Sequence, residues 1–321
     1  MAKLSEKYIA GFIDADGFIG PRFDKLDRAN SNPGRKRVGL EIKANQKAMQ
    51  DEVLYRIQQT LGGYVRPVKE GRYTEWSITG RAAIAQLDKI RKQLVVKRRI
   101  AETMLDRYGE DVEVQIAKEQ FKQARREKAL PLPNFPPRKW LAGYFDGDGC
   151  INVRCPKGRK SAQVTLAITA SNYDSEGIEI LQKAFGGSLN HGGRGKEHLT
   201  RWLLTVPPSK AKQVLGYFSK HMINKKEQAD FILGCAEMGH YRDGKRIYSA
   251  VRHLKAHPHR LSGPRADVAV LLSNIRDIET RQQRGQRLFK ENGDACIMCN
   301  KHQHYCDGVC HVCYDKIRHS A

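Results

Sequence analysis

No apolar run in the chain approaches the ~18 residues that a membrane-spanning helix requires, which excludes a transmembrane protein, and no secretory or lipidation signal is recognisable. The cysteines are few and uneven. Of the eight, Cys296, Cys299, Cys306, Cys310 and Cys313 crowd the C-terminal end, while Cys150, Cys155 and Cys235 are scattered, so a disulfide scaffold with regular spacing is excluded. A soluble protein of a reducing, intracellular compartment is expected, either cytoplasmic or organellar. Acidic residues are also scarce: 35 Asp and Glu stand against 57 Lys and Arg, a formal net charge of +22. That surplus far exceeds what solubility needs and has the sign that attracts a polyphosphate, so nucleic acid is the natural partner.

At 321 residues the chain has room for two ordinary domains and an appendage. It also repeats itself. Ile9-Ala10-Gly11-Phe12-Ile13-Asp14-Ala15-Asp16-Gly17 returns as Leu141-Ala142-Gly143-Tyr144-Phe145-Asp146-Gly147-Asp148-Gly149, an offset of 132. Residues 42–46 answer to 168–172 at an offset of 126, Thr74-Glu75-Trp76 to Thr200-Arg201-Trp202, Gly62-Gly63 to Gly186-Gly187, and 96–101 to 224–229. Between the copies, Pro131, Pro133, Pro136 and Pro137 cannot continue a helix and mark a stiff linker. The expected division is a first repeat over 1–129, a linker over 130–138, a second repeat over 139–237, a basic helical extension over 238–292 and a small module over 293–321.

Within each repeat Val38, Leu40, Ile42 and Ala44, and again Val164, Leu166, Ile168 and Ala170, alternate with mostly polar neighbours. These are half-buried antiparallel strands. Helical stretches over 47–61 and 174–185 follow, then two strands around a turn, then late helices near 80–106 and 207–237. The fold class is α+β: two pseudo-symmetric αββαββα repeats whose helices cover one face of each antiparallel sheet and leave a polar saddle on the other.

Glycine inside a helix costs about 1 kcal/mol relative to alanine, so Gly11 and Gly143 at matched positions call for close packing of the two motif helices. Each helix ends in Asp-x-Asp-Gly, with Gly17 and Gly149 suited to a left-handed cap. Carboxylates at a helix C-terminus meet the negative end of the dipole, and Asp16 and Asp148 repel each other across the interface. A hard cation that prefers oxygen ligands relieves both conflicts.

The paired nine-residue segments closely resemble the signature of the LAGLIDADG homing endonucleases, and the resemblance extends over residues 5–237. It implies that Asp16 and Asp148 bind catalytic Mg²⁺, with Ca²⁺ or Mn²⁺ substituting in binding, and that the carbonyls of Ala15 and Gly147 assist. Asp14 and Asp146 would support the helix ends and interface. The resemblance further implies a polar residue at the end of the second strand of each repeat, Gln46 and Asn172, and a lysine near a late helix, Lys97 and Lys225. These would order water and stabilise phosphorane-like charge. The implied reaction is a double-strand break across the minor groove, leaving short 3′ overhangs. A long, asymmetric duplex target and a monomeric enzyme go with it.

Two-stranded ribbons fit the major groove, where Arg, Lys, Gln and Asn reach base edges and phosphates. Candidates in the first repeat are Arg22, Asp24, Lys25, Arg28, Arg35, Arg37, Glu41, Lys43, Lys69 and Arg72. In the second they are Arg154, Lys157, Arg159, Lys160, Gln163, Thr165, Asn190, His191, Arg194 and Arg201.

The pairs Cys296/Cys299 and Cys310/Cys313 have the spacing of a structural Zn²⁺ site, in which His302, His304 or Cys306 is an alternative ligand. His253, His257 and His259 belong to a basic stretch and read as solvated. Two other functions suit the same scaffold: an RNA-splicing maturase with intron RNA as partner, and a non-cleaving DNA-binding regulator. Neither requires both acids in both repeats.

Overall fold

The computed structural model describes residues 3–24, 35–48, 50–127, 137–154, 163–171, 175–192, 199–206, 208–238 and 244–256, together with Val268, Leu271 and Leu272. The first half runs α1 (Glu6–Asp16), β1 (Gly17–Asp24), β2 (Arg35–Lys47), α2 (Glu52–Leu61), β3 (Tyr64–Val68), β4 (Tyr73–Thr79), α3 (Gly80–Ile90) and α4 (Arg98–Arg107). It closes with β5 (Asp111–Glu113) and α5 (Val114–Arg126). The second half repeats the order as α6 (Arg138–Asp148), β6 (Gly149–Arg154), β7 (Gln163–Ser171), α7 (Glu176–Phe185), β8 (Ser188–Gly192), β9 (Leu199–Val206), α8 (Pro208–Phe218), α9 (Lys226–Glu237) and α10 (Gly244–Ala256).

Both sheets are antiparallel with the same strand order, β1-β2-β4-β3 and β6-β7-β9-β8, and β5 adds a short pairing to the far end of β2. The expected alternation holds in β2: Val38, Leu40, Ile42 and Ala44 are buried under the helices, while Arg37, Glu41, Lys43 and Asn45 lie on the other face. In β4, Thr74, Trp76 and Ile78 point into the core, and Trp76 donates its indole N–H to the Gly62 carbonyl at 2.8 Å. One continuous apolar core joins the halves, because α1 and α6 are buried between them.

Each late helical stretch is interrupted. A 3-10 turn and a short extended segment separate α3 from α4, and the same break separates α8 from α9. The cause is buried acid: the chain leaves the helix so that backbone N–H groups can reach Asp14 and Asp146. Helix α10, placed by its sequence in a separate extension, buries Ile247, Val251 and Leu254 in the common core and packs on β6 and α9.

Candidate active site

The two motif helices meet backbone to backbone. A Cβ built on Gly11 would stand 1.9 Å from the Trp140 carbonyl oxygen, and one on Gly143 would stand 2.0 Å from that of Tyr8. Gly147 lies in the same seam, its ideal Cβ position 3.6 Å from the Asp16 Cβ. Asp16 and Asp148, the last residues of their helices, therefore come to the same end of the pair. Gly17 and Gly149 do not adopt the left-handed cap expected of them, having φ of −83° and −71°. Glycine is required there by space: a Cβ would meet the Ile13 backbone at 2.6 Å or the Phe145 carbonyl at 2.3 Å.

Below the pair, the first acids of each motif are fully enclosed. Asp14 accepts from the backbone N–H of Val95 (2.7 Å) and Lys97 (2.8 Å) and from the Trp140 indole of the other half (2.8 Å). Asp146 accepts from Ile223 N (2.5 Å), Lys225 N (2.9 Å) and the Tyr8 hydroxyl of the other half (2.6 Å). Each half thus supplies one aromatic donor to its partner's acid. Burial raises the carboxyl pKa of both; the backbone bonds, the Lys97 charge and the Trp140 bond pull Asp14 back, and the Lys225 charge followed by its hydrogen bonds pulls Asp146 back. Tyr8 and Trp140 were overlooked in the sequence, although their offset of 132 is that of the motif itself.

Lys97 and Lys225 occupy equivalent places. The Lys97 ammonium donates to the carbonyls of Ile13 (2.8 Å), Asp14 (2.7 Å) and Ala15 (3.1 Å), and that of Lys225 to Asp146 and, at 3.0 Å, Gly147. Both cations therefore cap the negative helix ends where the sequence reading left an uncompensated electrostatic defect. Desolvation pushes the Lys225 pKa down, against the pull of Asp146, Asp16 and Asp148. Burial raises Asp16, and Lys225 is the first influence opposing it, followed by Gln46 and Lys97. A lysine of one half thus serves an acid of the other. The carbonyls of Ala15 and Gly147 are engaged by these ammonium groups, each retaining a second lone pair.

Gln46 is 8% exposed and donates its amide N–H to Asp16. Its expected counterpart needs correction. Gln46 pairs with Thr74, and the equivalent Thr200 pairs with Ala170, just as Gly17 pairs with Ala44 and Gly149 with Ile168. The second-half residue at the place of Gln46 is Ala170. Asn172 stands two positions further on and lies outside the described residues.

The outer face of the first sheet carries most of its predicted set. Arg22 and Asp24 are exposed and bonded to each other at 2.7 Å, Lys43 reaches Glu41 at 3.2 Å, and Arg37 is exposed beside them. Lys69 and Arg72 sit in the exposed β3–β4 turn. Two further residues of this face escaped notice: Arg66 and Glu75, cross-strand partners bonded at 2.8 Å. In the second sheet, Arg154 and Gln163 pair across β6 and β7, and the exposed Asn190 and Arg201 pair across β8 and β9. His191 is exposed but alternates away from that face. Thr165 is corrected: it is 2% exposed and its hydroxyl is bonded to Thr205 at 3.1 Å, so it offers nothing to a duplex. Lys25, Arg28, Lys157, Arg159, Lys160 and Arg194, the Arg35 side chain, and Cys296, Cys299, Cys310 and Cys313 lie outside what the structure describes.

Among the described residues no group of three or more His, Cys, Asp or Glu side chains converges. Two carboxylates from opposite halves, with carbonyl oxygens beside them, suit a hard cation that completes its shell with water and phosphate oxygens. No described helix is long and apolar enough to cross a membrane.

A duplicated sheet with buried glycine-seamed helices and one acid from each half at their junction defines a two-centre architecture. The family described as LAGLIDADG endonuclease, whose members are DNA-cleaving nucleases, matches residues 9–94 and 141–238, and the chain belongs to it, in its two-motif form. The fold is that of the meganuclease I-SmaMI bound to uncleavable DNA, with a TM-score of 0.55 at 17% identity over 80% of this chain and 99% of that one. The meganuclease I-AabMI bound to uncleaved DNA gives 0.54 at 15% identity, covering 80% of this chain and 100% of that one. I-SmaMI bound to its uncleaved target with calcium ions gives 0.55 at 18% identity, covering 79% and 98%. No curated protein matches the chain.

Proposed function

We propose that the protein is a site-specific homing endonuclease. It makes a metal-dependent double-strand break in a long, non-palindromic duplex, leaves short 3′ overhangs and so promotes mobility of its own intron or gene. The observation that carries this reading is the convergence of Asp16 and Asp148 at the paired helix ends, with Lys225 acting on both acids. The DNA-bound states of I-SmaMI and I-AabMI support a duplex partner, and the calcium of the former supports a divalent ion.

Asp16 and Asp148, assisted by the Ala15 and Gly147 carbonyls, would hold Mg²⁺, which supplies charge for the scissile phosphate and lowers the pKa of water. Gln46 fixes the orientation of the Asp16 carboxylate. Water adds hydroxide to phosphorus and gives up its proton to neighbouring water; the bond from phosphorus to the leaving ribose oxygen breaks, and that oxygen takes up a proton. Lys97 and Lys225 offset negative charge that grows as the phosphorus becomes five-coordinate. The exposed outer faces, with Arg22, Arg37, Lys43, Arg66, Asn190 and Arg201, would read the flanking duplex. The enzyme acts as a monomer, since both halves of the site lie in one chain. The C-terminal cysteine pairs are proposed to hold one structural Zn²⁺, to be counted by elemental analysis.

The test is incubation with Mg²⁺ and a plasmid library of randomised insert sites, beside an Asp16→Asn variant. Cutting of a discrete subset by the wild type only is expected. No cutting of any member, with tight binding of intron RNA or of uncut DNA instead, would identify the maturase or regulator and overturn the endonuclease.

A further inference from the structure

Helix α10 carries Lys245, Arg246, Arg252 and Lys255 and no Asp or Glu. Its cations follow the helical period. Steps of three, four and three residues keep side chains on one face, so Gly244, Ile247, Val251 and Leu254 form the buried stripe and Lys245, Tyr248, Arg252 and Lys255 form the stripe beside it. Arg246, Ser249 and His253 make a third stripe, on the opposite flank. Lys245, Tyr248 and Arg252 are exposed, whereas Lys255 is half-buried.

Lys255 fixes which way its stripe looks. In β6, Ile151 and Val153 are buried under the helices, so Cys150, Asn152 and Arg154 alternate onto the outer face of the sheet. β6 is an edge strand, and the Lys255 side chain reaches round it: the ammonium donates to the Asn152 Oδ1 at 2.7 Å and to the Cys150 Sγ at 3.4 Å. Two of its three protons are thus directed along the outer face of β6, and among the described residues the third is left for an acceptor in front of it. Tyr248 and Arg252, seven and three residues earlier on the same stripe, emerge on the side of the helix that Lys255 takes to that face.

A helix face that only meets water gains from acids set three or four residues from its bases. Helix α5, which follows α4 as α10 follows α9, has such a pair in Glu119 and Lys122. In α10 the cations Arg252 and Lys255 stand three apart and repel each other, which costs helix stability until an anion lies along the stripe. From Lys245 to Lys255 the stripe runs about 15 Å, against about 3.4 Å of duplex axis per phosphate on one strand. Three phosphates fit within its reach.

We propose that α10 is a phosphate-binding element of the second half: Lys245, Arg252 and Lys255 hold the backbone of one DNA strand where it passes the β6 edge, and Lys255 joins this line to the outer face of the sheet. The inference rests on the duplex partner of the endonuclease reading and adds a contact from outside the duplicated αββαββα order. Contacts to phosphate set the position of a duplex and carry no sequence. The stripe therefore strengthens binding and leaves the choice of target to the sheets.

The experiment titrates the full-length protein into a fluorescent generic duplex, in EDTA and at several salt concentrations. Arg252→Gln should reduce the log–log salt slope by about 0.9, and the triple variant Lys245→Gln/Arg252→Gln/Lys255→Met by about 2–3. The triple variant should weaken duplexes of different sequence alike. Arg246→Gln removes the same charge from the opposite flank and should leave slope and affinity unchanged. Melting temperatures of Arg252→Gln and Arg246→Gln should match the wild type, because both side chains are exposed. An unchanged slope for the triple variant, or an equal fall for Arg246→Gln, would overturn the assignment. So would a fall seen only with an RNA hairpin in place of the duplex, which would make RNA the partner of the stripe. Salt-dependent binding through the stripe by a protein that cuts no library member would remove the endonuclease reading and leave this inference standing; cutting by a protein indifferent to the stripe would remove this inference alone.

Discussion

Replacing Gly11 with alanine sets two physical effects against each other. Helix propensity alone favours the change by about 1 kcal/mol, since alanine has less backbone freedom to lose. Packing opposes it. The added Cβ would lie 1.9 Å from the Trp140 carbonyl oxygen and 2.8 Å from its carbon, where real Cβ contacts essentially never fall below 3.0 Å. These are backbone atoms of α6, so relief requires the helices to part by about 1 Å, more than side-chain hopping provides in a close-packed interior. Parting strains the Trp140–Asp14 and Tyr8–Asp146 bonds, which bridge the same seam. Overpacking costs about 1–3 kcal/mol, and weakening two buried hydrogen bonds to acids adds about 2–3 kcal/mol. The net should be a loss of about 2–5 kcal/mol once the propensity gain is subtracted. For a chain of this size that lowers the melting temperature by on the order of 10 °C. Gly143→Ala should behave alike, and the double variant should lose less than the sum, because both are relieved by one movement. Gly216→Ala is the control: it lies in α8 with nothing within 4 Å of its Cβ and should gain stability instead. Chemical denaturation and thermal melting decide the matter. A Gly11→Ala protein as stable as the wild type would refute the backbone-to-backbone seam.

Lys97→Met keeps the length of the side chain but removes the cation from the carbonyls of Ile13, Asp14 and Ala15; a loss of about 2 kcal/mol is expected, the upper range for a partly buried charge at a helix end. Equal urea midpoints for variant and wild type would sink that account. Burial pushes the Cys235 thiol up to about 12 from its ordinary 9.0. The folded protein therefore keeps a proton that the unfolded chain gives up, so this contribution is complete below pH 9 and declines as pH rises toward 12, by about 1.4 kcal/mol per pH unit. Cys235→Ala should show a shallower fall in stability between pH 9 and 11, and parallel slopes would contradict it. Arg66→Ala should reduce the salt dependence of duplex affinity by about 0.9 in log–log slope if the exposed outer face meets phosphate, whereas the buried Thr165→Val should leave it unchanged. Fluorescence titration against a generic duplex at several salt concentrations measures both.

Much of this molecule is written locally. A motif repeated at an offset of 132, glycines at matched helical positions and strict alternation along β2 determine two copies of one α+β unit and the acids at their junction, because helix and strand periods are properties of neighbours in the chain. The tertiary structure alone decided how the copies differ. The offset falls from 132 at the motif to 124 at β2 and β7, as Gly17–Ala44 and Gly149–Ile168 pairing shows, so the hairpin between them is shorter in the second half. A two-residue error there preserves which face a side chain takes, and pattern alone therefore cannot distinguish Ala170 from Asn172 as the partner of Gln46. The same holds for the exchange of Tyr8 and Trp140 between acids, for the breaks that bring Val95 and Ile223 to those acids, and for the burial of Thr165. Each depends on which distant backbone lies across the seam or the sheet, and that is set by packing rather than by spacing along the chain.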